Sequence, residues 1–338
     1  MEELIQSFYG NFPTLLLLLI IAALLWILSK GADILVDEAV SLSIHWGIPK
    51  MVIGATIVSL GTTLPEATVS VLAAFQGNPD LALGNAIGSI IADTGLIIGL
   101  AAMIGILPVD KTTINRQGVL QIAAGFLLAF VCLPFLTPSE GGNIPQFVGF
   151  IFLGLLIGYI YLSIKWSKNS SNGDGVSSTL IEEKSPIFAQ ILKMILGIAL
   201  IIFSSRLLIP AVEITAIRVG IPQAIIAATL VAFGTSLPEL VTAITAVRKG
   251  HGELAIGNII GADILNVLFV VGSSAAVTAG GLHVPSSFFK LQIPTMLLVL
   301  IIFRLFSVNK KMVINKKEGL LLFSFYVIYL ILNFTWIS

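Results

Sequence analysis

Two hexapeptides decide how this chain is read: Gly61-Thr62-Thr63-Leu64-Pro65-Glu66 (GTTLPE) and Gly234-Thr235-Ser236-Leu237-Pro238-Glu239 (GTSLPE). Working outward from them, residues 47–99 align without a gap onto residues 220–272 at a constant offset of 173, with about two positions in five identical. Gly47, Ile48 and Pro49 recur as Gly220, Ile221 and Pro222, and LALGNAIG at 81–88 recurs as LAIGNIIG at 254–261. Self-similarity of this extent makes the chain a duplication, and the fold has to be read as two copies of one unit.

The 338 residues are 57% hydrophobic and 11% charged, with a mean hydropathy of +1.03. A soluble domain carries about 25% charge, so the composition excludes a soluble globule. Zero net charge gives no basis for a nucleic-acid partner. Cys132, the single cysteine, cannot form an intrachain disulfide and reads as a small buried residue. Apolar runs long enough to cross a bilayer as helices fall at about 13–38, 50–75, 80–106, 118–137, 145–165, 187–216, 222–247, 252–279, 287–308 and 317–335. The expected fold is therefore an all-α integral membrane protein with ten transmembrane helices. The first run reads as a retained span rather than a signal peptide, because Glu2 and Glu3 stand where positive charge is expected and no small-residue cleavage site follows Leu28.

Basic residues set the orientation. With the N-terminus outside, the inner loops hold Lys50, Lys111, Arg116, Lys165, Lys168, Lys184, Arg248, Lys249, Lys310, Lys311, Lys316 and Lys317, against Arg218 and the boundary residue Lys290 outside. Both termini are then outside a cell membrane. The Ser/Gly/Asn-rich stretch 166–185 reads as a cytoplasmic linker between a first repeat, 1–165, and a second, 186–338. Five spans per half is an odd number, so the second copy enters the membrane from the opposite side and the repeats have inverted topology. Residues equivalent by the offset should then face each other near the midplane. Inverted repeats interrupted at matching positions indicate a secondary transporter with its binding site at the interruptions.

The interruptions are the hexapeptides. Pro65 and Pro238 have no amide hydrogen for the carbonyls of Gly61 and Gly234 and disfavour helix in the preceding leucines, which leaves carbonyl oxygens short of partners. Such backbone is tolerated at membrane depth only inside protein or beside a polar cavity, and carbonyls next to a carboxylate are what a hard cation coordinates. Glu66 and Glu239 supply the charge; Thr62 and Thr235 carbonyls nearly complete a calcium shell, while the hydroxyls of Thr63 and Ser236 suit sodium. Asn85, Ser89 and Asp93 are spaced four apart on one helix face, matched by Asn258, Ala262 and Asn266. Gly84, Gly88, Gly257 and Gly261 on these helices favour close helix packing. Asp93 has no lysine or arginine in its segment to pair with, so an ion or proton must neutralise it. Asp263 is a further intramembrane acid, either a member of the site or a residue on its access path.

With GTTLPE, GTSLPE, GNAIGS and GNIIGA in view, the chain resembles the calcium:cation antiporter superfamily in its sodium/calcium exchanger branch, over all ten spans. The resemblance implies a 5+5 inverted repeat with the second and seventh helices broken at the hexapeptides and the third and eighth helices completing a diamond of ion sites. It implies calcium held by Glu66, Glu239 and the carbonyls of Thr62 and Thr235. It assigns Thr63, Ser89, Ser236 and the carbonyls of Ser59 and Ala232 to sodium, with the two glutamates shared, and sets Asp93 and Asn266 beside the centre. The long first and sixth helices would slide across a rigid core. Archaeal members of the family carry Asn where this chain has Asp93 and Asp where it has Asn266, and a hydroxyl at the position of Ala262.

The implied cargo is calcium exchanged for sodium, with protons or potassium as alternatives that use the same glutamates; no cofactor is expected, and the partners are these cations and the bilayer. Three acids in a low-dielectric pocket cannot all stay charged without cations, and carboxylates that serve calcium cannot simultaneously serve sodium, so competition makes an exchanger. An intramembrane hydrolase and a passive cation channel are the remaining readings. Against the hydrolase, His45, His251 and His283 lie at loops without metal-ligand spacing.

Overall fold

The computed structural model describes residues 2–133, 141–170, 186–220 and 234–337. Twelve helical segments are present among them: α1 (Glu2–Gly10), α2 (Thr14–Trp46), α3 (Lys50–Thr62), α4 (Leu64–Phe75), α5 (Pro79–Ile104), α6 (Lys111–Cys132), α7 (Gln146–Ser170), α8 (Ile187–Arg218), α9 (Leu237–Arg248), α10 (Gly252–Val277), α11 (Ser286–Ser307) and α12 (Lys316–Ile337). Among the described residues seven helices are long and apolar enough to cross a bilayer, and α3 with α4 forms an eighth candidate bent by 45°. The span expected at 222–247 is described only from Gly234 onward, as α9, and most of the expected linker 166–185 lies outside the described residues.

Several boundaries differ from the hydropathy reading. The fourth span starts seven residues earlier than expected because the Asp110 carboxylate accepts the Thr113 amide at 2.6 Å, capping α6 where the sequence is still polar. The first span runs on to Trp46 through Asp33, Asp37 and Glu38, whose charges find lysine partners. Short strands were not expected. Leu107–Pro108 pairs with Val313–Ile314, and Gly142–Ile144 with Leu282–Val284. The two pairs lie at opposite ends of α6 and each joins one half of the chain to the other.

Backbone detail recurs at the offset. Gly47 and Gly220 end α2 and α8 with φ of 63° and 86°, and Gly77 and Gly250 follow α4 and α9 with φ of 77° and 78°, conformations open to glycine without steric cost. Thr63 and Ser236 share nearly one conformation, φ/ψ of −80°/−2° and −83°/8°, at the starts of α4 and α9.

Burial separates two layers. The most apolar stretch of α10 is 94% buried and that of α5 78%, whereas those of α2 and α8 are 28% buried, so α5 and α10 are the central helices and α2 and α8 the flanking pair. The flanking pair touches backbone to backbone at Gly31 and Gly197, where a Cβ would meet the opposing carbonyl. Inside, Gly257 and Gly261 of α10 press on the Met51 and Ala55 carbonyls of α3, with no room for a side chain. This is the packing role expected of those two glycines. A Cβ at Gly84 would meet the Phe288 ring at 3.5 Å, in ordinary contact.

Candidate functional site

At the junction of α3 and α4, Pro65 occupies the first turn of α4 and cannot donate to the Gly61 carbonyl, so α3 and α4 meet at the 45° bend with Thr63 as hinge. Glu66 therefore enters the interior from the first turn of α4, and Glu239 does the same from α9; each is 1% exposed. Helix N-termini favour negative charge at these positions. Thr63 Oγ1 lies 3.4 Å from Glu239 Oε1, so a hydroxyl of the first hexapeptide meets the carboxylate of the second. The reciprocal residue, Ser236, sits beside both Glu66 and Asp93.

Asp93 is fully buried on α5, and Glu66, Asp93 and Glu239 lie within electrostatic reach of one another. Many oxygens in this region have no hydrogen-bond partner among the described residues: both oxygens of Glu66 and of Asp93, Glu239 Oε2, Ser89 Oγ, Ser236 Oγ and Asn266 Oδ1. Buried polar groups are almost always satisfied, so such a concentration marks a place built for another partner, and oxygens alone suit a hard cation. No group of three or more acidic, histidine or cysteine side chains converges as a resident metal centre would among the described residues. Neutral oxygens would have to complete any coordination shell.

The asparagines act differently from a ligand. Asn85 Oδ1 accepts from Thr235 Oγ1 at 3.0 Å, while its Nδ2 donates to Ser70 Oγ at 2.9 Å and to the Glu66 carbonyl at 3.3 Å. In mirror image Asn258 Oδ1 faces Thr62 Oγ1 at 3.4 Å. Each central helix thereby fixes the hexapeptide threonine of the other half by its hydroxyl. Ser59 and Thr62 are buried, Ser59 Oγ donating to the Thr56 carbonyl at 3.2 Å. Ala232 lies outside the described residues. Ala262 is fully buried and brings no hydroxyl. Asp263 stands apart from the hexapeptides, its Oδ2 receiving Thr94 Oγ1 at 2.6 Å and Gln121 Nε2 at 2.5 Å. An apolar cavity of about 570 Å³ between α3 and α7 is lined by Trp46, Ile53, Leu60 and Ile160 and by no carboxylate, so it is not part of this site.

The family whose description is "Sodium/calcium exchanger protein" matches residues 15–165 and 190–335. The chain belongs to the sodium/calcium exchanger family. It is 32% identical over 95% of its length to the "Putative antiporter CaxA" of Alkalimonas amylolytica, covering 98% of that protein. It is 33% identical over 95% of its length to the "Inner membrane protein YrbG" of Escherichia coli (strain K12), covering 97% of it. A solved structure of the sodium-calcium exchanger NCX_Mj soaked with Na+ and Sr2+ superposes with a TM-score of 0.78 at 26% identity, over 94% of this chain and 98% of the other. This exchanger-family chain is thus a multi-pass membrane protein, a cation/calcium antiporter rather than an enzyme, and the family works without a cofactor.

Three features of the site escaped sequence reasoning. Wider π-helical turns occur at Gly54–Val58, at Ala92–Ile97 beside Asp93, and at Asn266–Val271. Such turns carry no residue signature, though they cluster at functional sites. The Ala55 carbonyl in the first of them is taken by the Tyr159 hydroxyl at 2.5 Å. Thr94 and Gln121 as partners of Asp263 were also missed. Gln121 inside an apolar span was the available signal.

Proposed function

We propose that the chain exchanges calcium for sodium across the cell membrane by alternating access, through a carboxylate site shared by the two ions. Glu66, Glu239 and the carbonyls of Thr62 and Thr235 bind calcium. Thr63, Ser89, Ser236 and the carbonyls of Ser59 and Ala232 serve sodium together with the glutamates, and Asp93 and Asn266 flank the centre. The observation that carries this reading is the set of buried acceptor oxygens from both halves that lack a donor among the described residues.

The frame is ten transmembrane helices in a 5+5 inverted repeat, with the second and seventh broken at 61–66 and 234–239, both termini outside, and 166–185 as a cytoplasmic linker between 1–165 and 186–338. The φ values matched at Gly47/Gly220 and Gly77/Gly250, the paired hinges Thr63 and Ser236, and one strand pair at each end of α6 support it. Leaving the acids ionised without a counter-charge in a sealed, water-free interior costs several kcal/mol each, whereas a loaded cluster is near neutral. Only a loaded site can be occluded and turned to the other side, and competition for the same carboxylates makes the flows opposite. The moving pair is α2 with α8, which meet at Gly31 and Gly197, and α8 passes the hexapeptides with Ile198 against Gly61 and Ile209 against Gly234.

One observation favours a second reading: Ala262 removes a hydroxyl that a sodium site would use, which points to protons or potassium as coupling ions through the same acids. Radiolabelled calcium uptake into liposomes under sodium, potassium and proton gradients, imposed one at a time, separates the cases. Sodium-driven uptake that is lost in Glu239→Gln and Glu66→Gln is expected. Undiminished uptake in either variant refutes the site, and uptake driven only by protons refutes sodium as the partner.

A further inference from the structure

Helix α6 carries Thr113, Gln117 and Gln121 four residues apart, all three buried, on the side that reaches Asp263. A helix rises about 6 Å between such positions, an interval that long glutamine side chains and water making hydrogen bonds of roughly 2.8 Å can cover together. At the Lys111 end of this line lies a cavity of about 10 Å³ bordered by Thr113, Arg116, Gln117, Ser163 and Trp166. At the other end Asp263 presents its Oδ1, buried and without a partner among the described residues, and the Oε1 atoms of Gln117 and Gln121 are likewise unpartnered there. Glutamine oxygens and a carboxylate oxygen in sequence are acceptors that hydrogen-bonded water satisfies.

We propose that Asp263 is a proton-binding site with its own water-sized route along α6, separate from the path that calcium takes past the glutamates. Size selects the ion: the cavity at the Lys111 end holds about one water, which admits a proton passed along a water chain but neither hydrated sodium nor hydrated calcium. Charge makes the site matter. Asp93 on α5 and Glu239 on α9 are the acids that face Asp263 electrostatically, and Arg116, stacked on Trp166, is the cation at the far end. A proton on Asp263 removes one negative charge from the neighbourhood of the central acids, so the proton is a further ion coupled to calcium beside sodium. The two donors on Oδ2, Thr94 and Gln121, hold the carboxyl so that Oδ1 is the oxygen that takes the proton. This inference rests on the proposed antiport.

The test uses full-length protein in sodium-free liposomes with a trapped pH-sensitive dye, driven by a calcium gradient. Wild type is expected to move protons against calcium. Gln117→Leu should slow that proton signal about tenfold, equivalent to roughly 1.4 kcal/mol on the rate, by interrupting the water line. The same Gln117→Leu vesicles should keep sodium-driven calcium uptake within about twofold, which also certifies folding. Asp263→Asn should abolish the proton signal. A proton signal undiminished in both variants overturns the proposal, as does a wild type that exchanges sodium for calcium and moves no protons. A wild type that moves protons with calcium but ignores sodium refutes sodium coupling and leaves this proposal standing.

Discussion

Lys249, just past the end of α9, ties the flanking helix α2 to the interior, and removing that tie should loosen α2 by a predictable amount. Its Nζ lies 2.7 Å from Asp37 Oδ1, 3.2 Å from Asp33 Oδ1 and 3.3 Å from the Asp33 carbonyl. Partial burial lowers the affinity of this ammonium for its proton, but the hydrogen bonds and charges of Asp37 and Asp33 more than offset it, leaving the pKa above the ordinary lysine value. The contribution is therefore full below the usual lysine pKa of about 10.4 and is lost only as pH rises through the raised value, so the tie is constant across the neutral range. These side chains are 29%, 35% and 61% exposed. Pairs so exposed are worth about 0.2–1 kcal/mol each, and the whole latch about 0.5–2 kcal/mol, a roughly 2- to 30-fold bias toward the docked arrangement. By the offset the equivalent of Lys249 is Gln76, so the other end has no ammonium at the matching position. Lys249→Gln makes the two ends alike. In a Cys132→Ala background, a cysteine placed at Val36, fully buried on α2, should react with a membrane-impermeant maleimide faster by that factor in Lys249→Gln. High salt should move the protein carrying Lys249 in the same direction. Equal labelling with and without Lys249, unaffected by salt, would refute the latch.

Gly257→Ala places a methyl against the Met51 carbonyl, and overpacking of this kind costs about 1–3 kcal/mol, so melting in detergent should fall clearly while Gly154→Ala, with no neighbour within 4 Å among the described residues, should not move it. Ala262→Ser adds a hydroxyl at a fully buried position; if it reaches the proposed sodium path, a net hydrogen-bond-scale gain of about 1 kcal/mol predicts sodium half-saturation lowered about fivefold, and an unchanged value would remove position 262 from that path. Asp93→Asn should alter the monovalent-cation dependence of uptake, and adding Asn266→Asp should restore much of it, since the two positions are equivalent by the offset and the net charge is regained. A double variant no better than the single one would show that the side on which the charge sits matters.

Much of this was legible in the residues because the relevant signals are local or periodic. Apolar runs mark the seven spanning helices among the described residues, Pro65 marks the bend between α3 and α4, and the duplication is visible from identities at a fixed separation; Glu66, Glu239, Thr63, Ser236 and Asp93, which these signals pick out, are all buried. Asp263 could not be assigned from sequence: its environment is made by Thr94 and Gln121, 169 and 142 residues away. The asparagines were candidates without a role, since the role depends on reaching Thr235 and Thr62 in the opposite half.

The sequence by itself determined the membrane class, the repeat and the identity of the acids, because partition into lipid and the loss of an amide hydrogen are properties of residues wherever they sit. Tertiary structure alone decided which oxygens of the two halves meet, where π-helical turns fall, and which half fixes the other. Those outcomes depend on how closely α10 can approach α3, a distance set by bare glycine backbone on one side and carbonyls on the other, and no periodicity along a single chain encodes it.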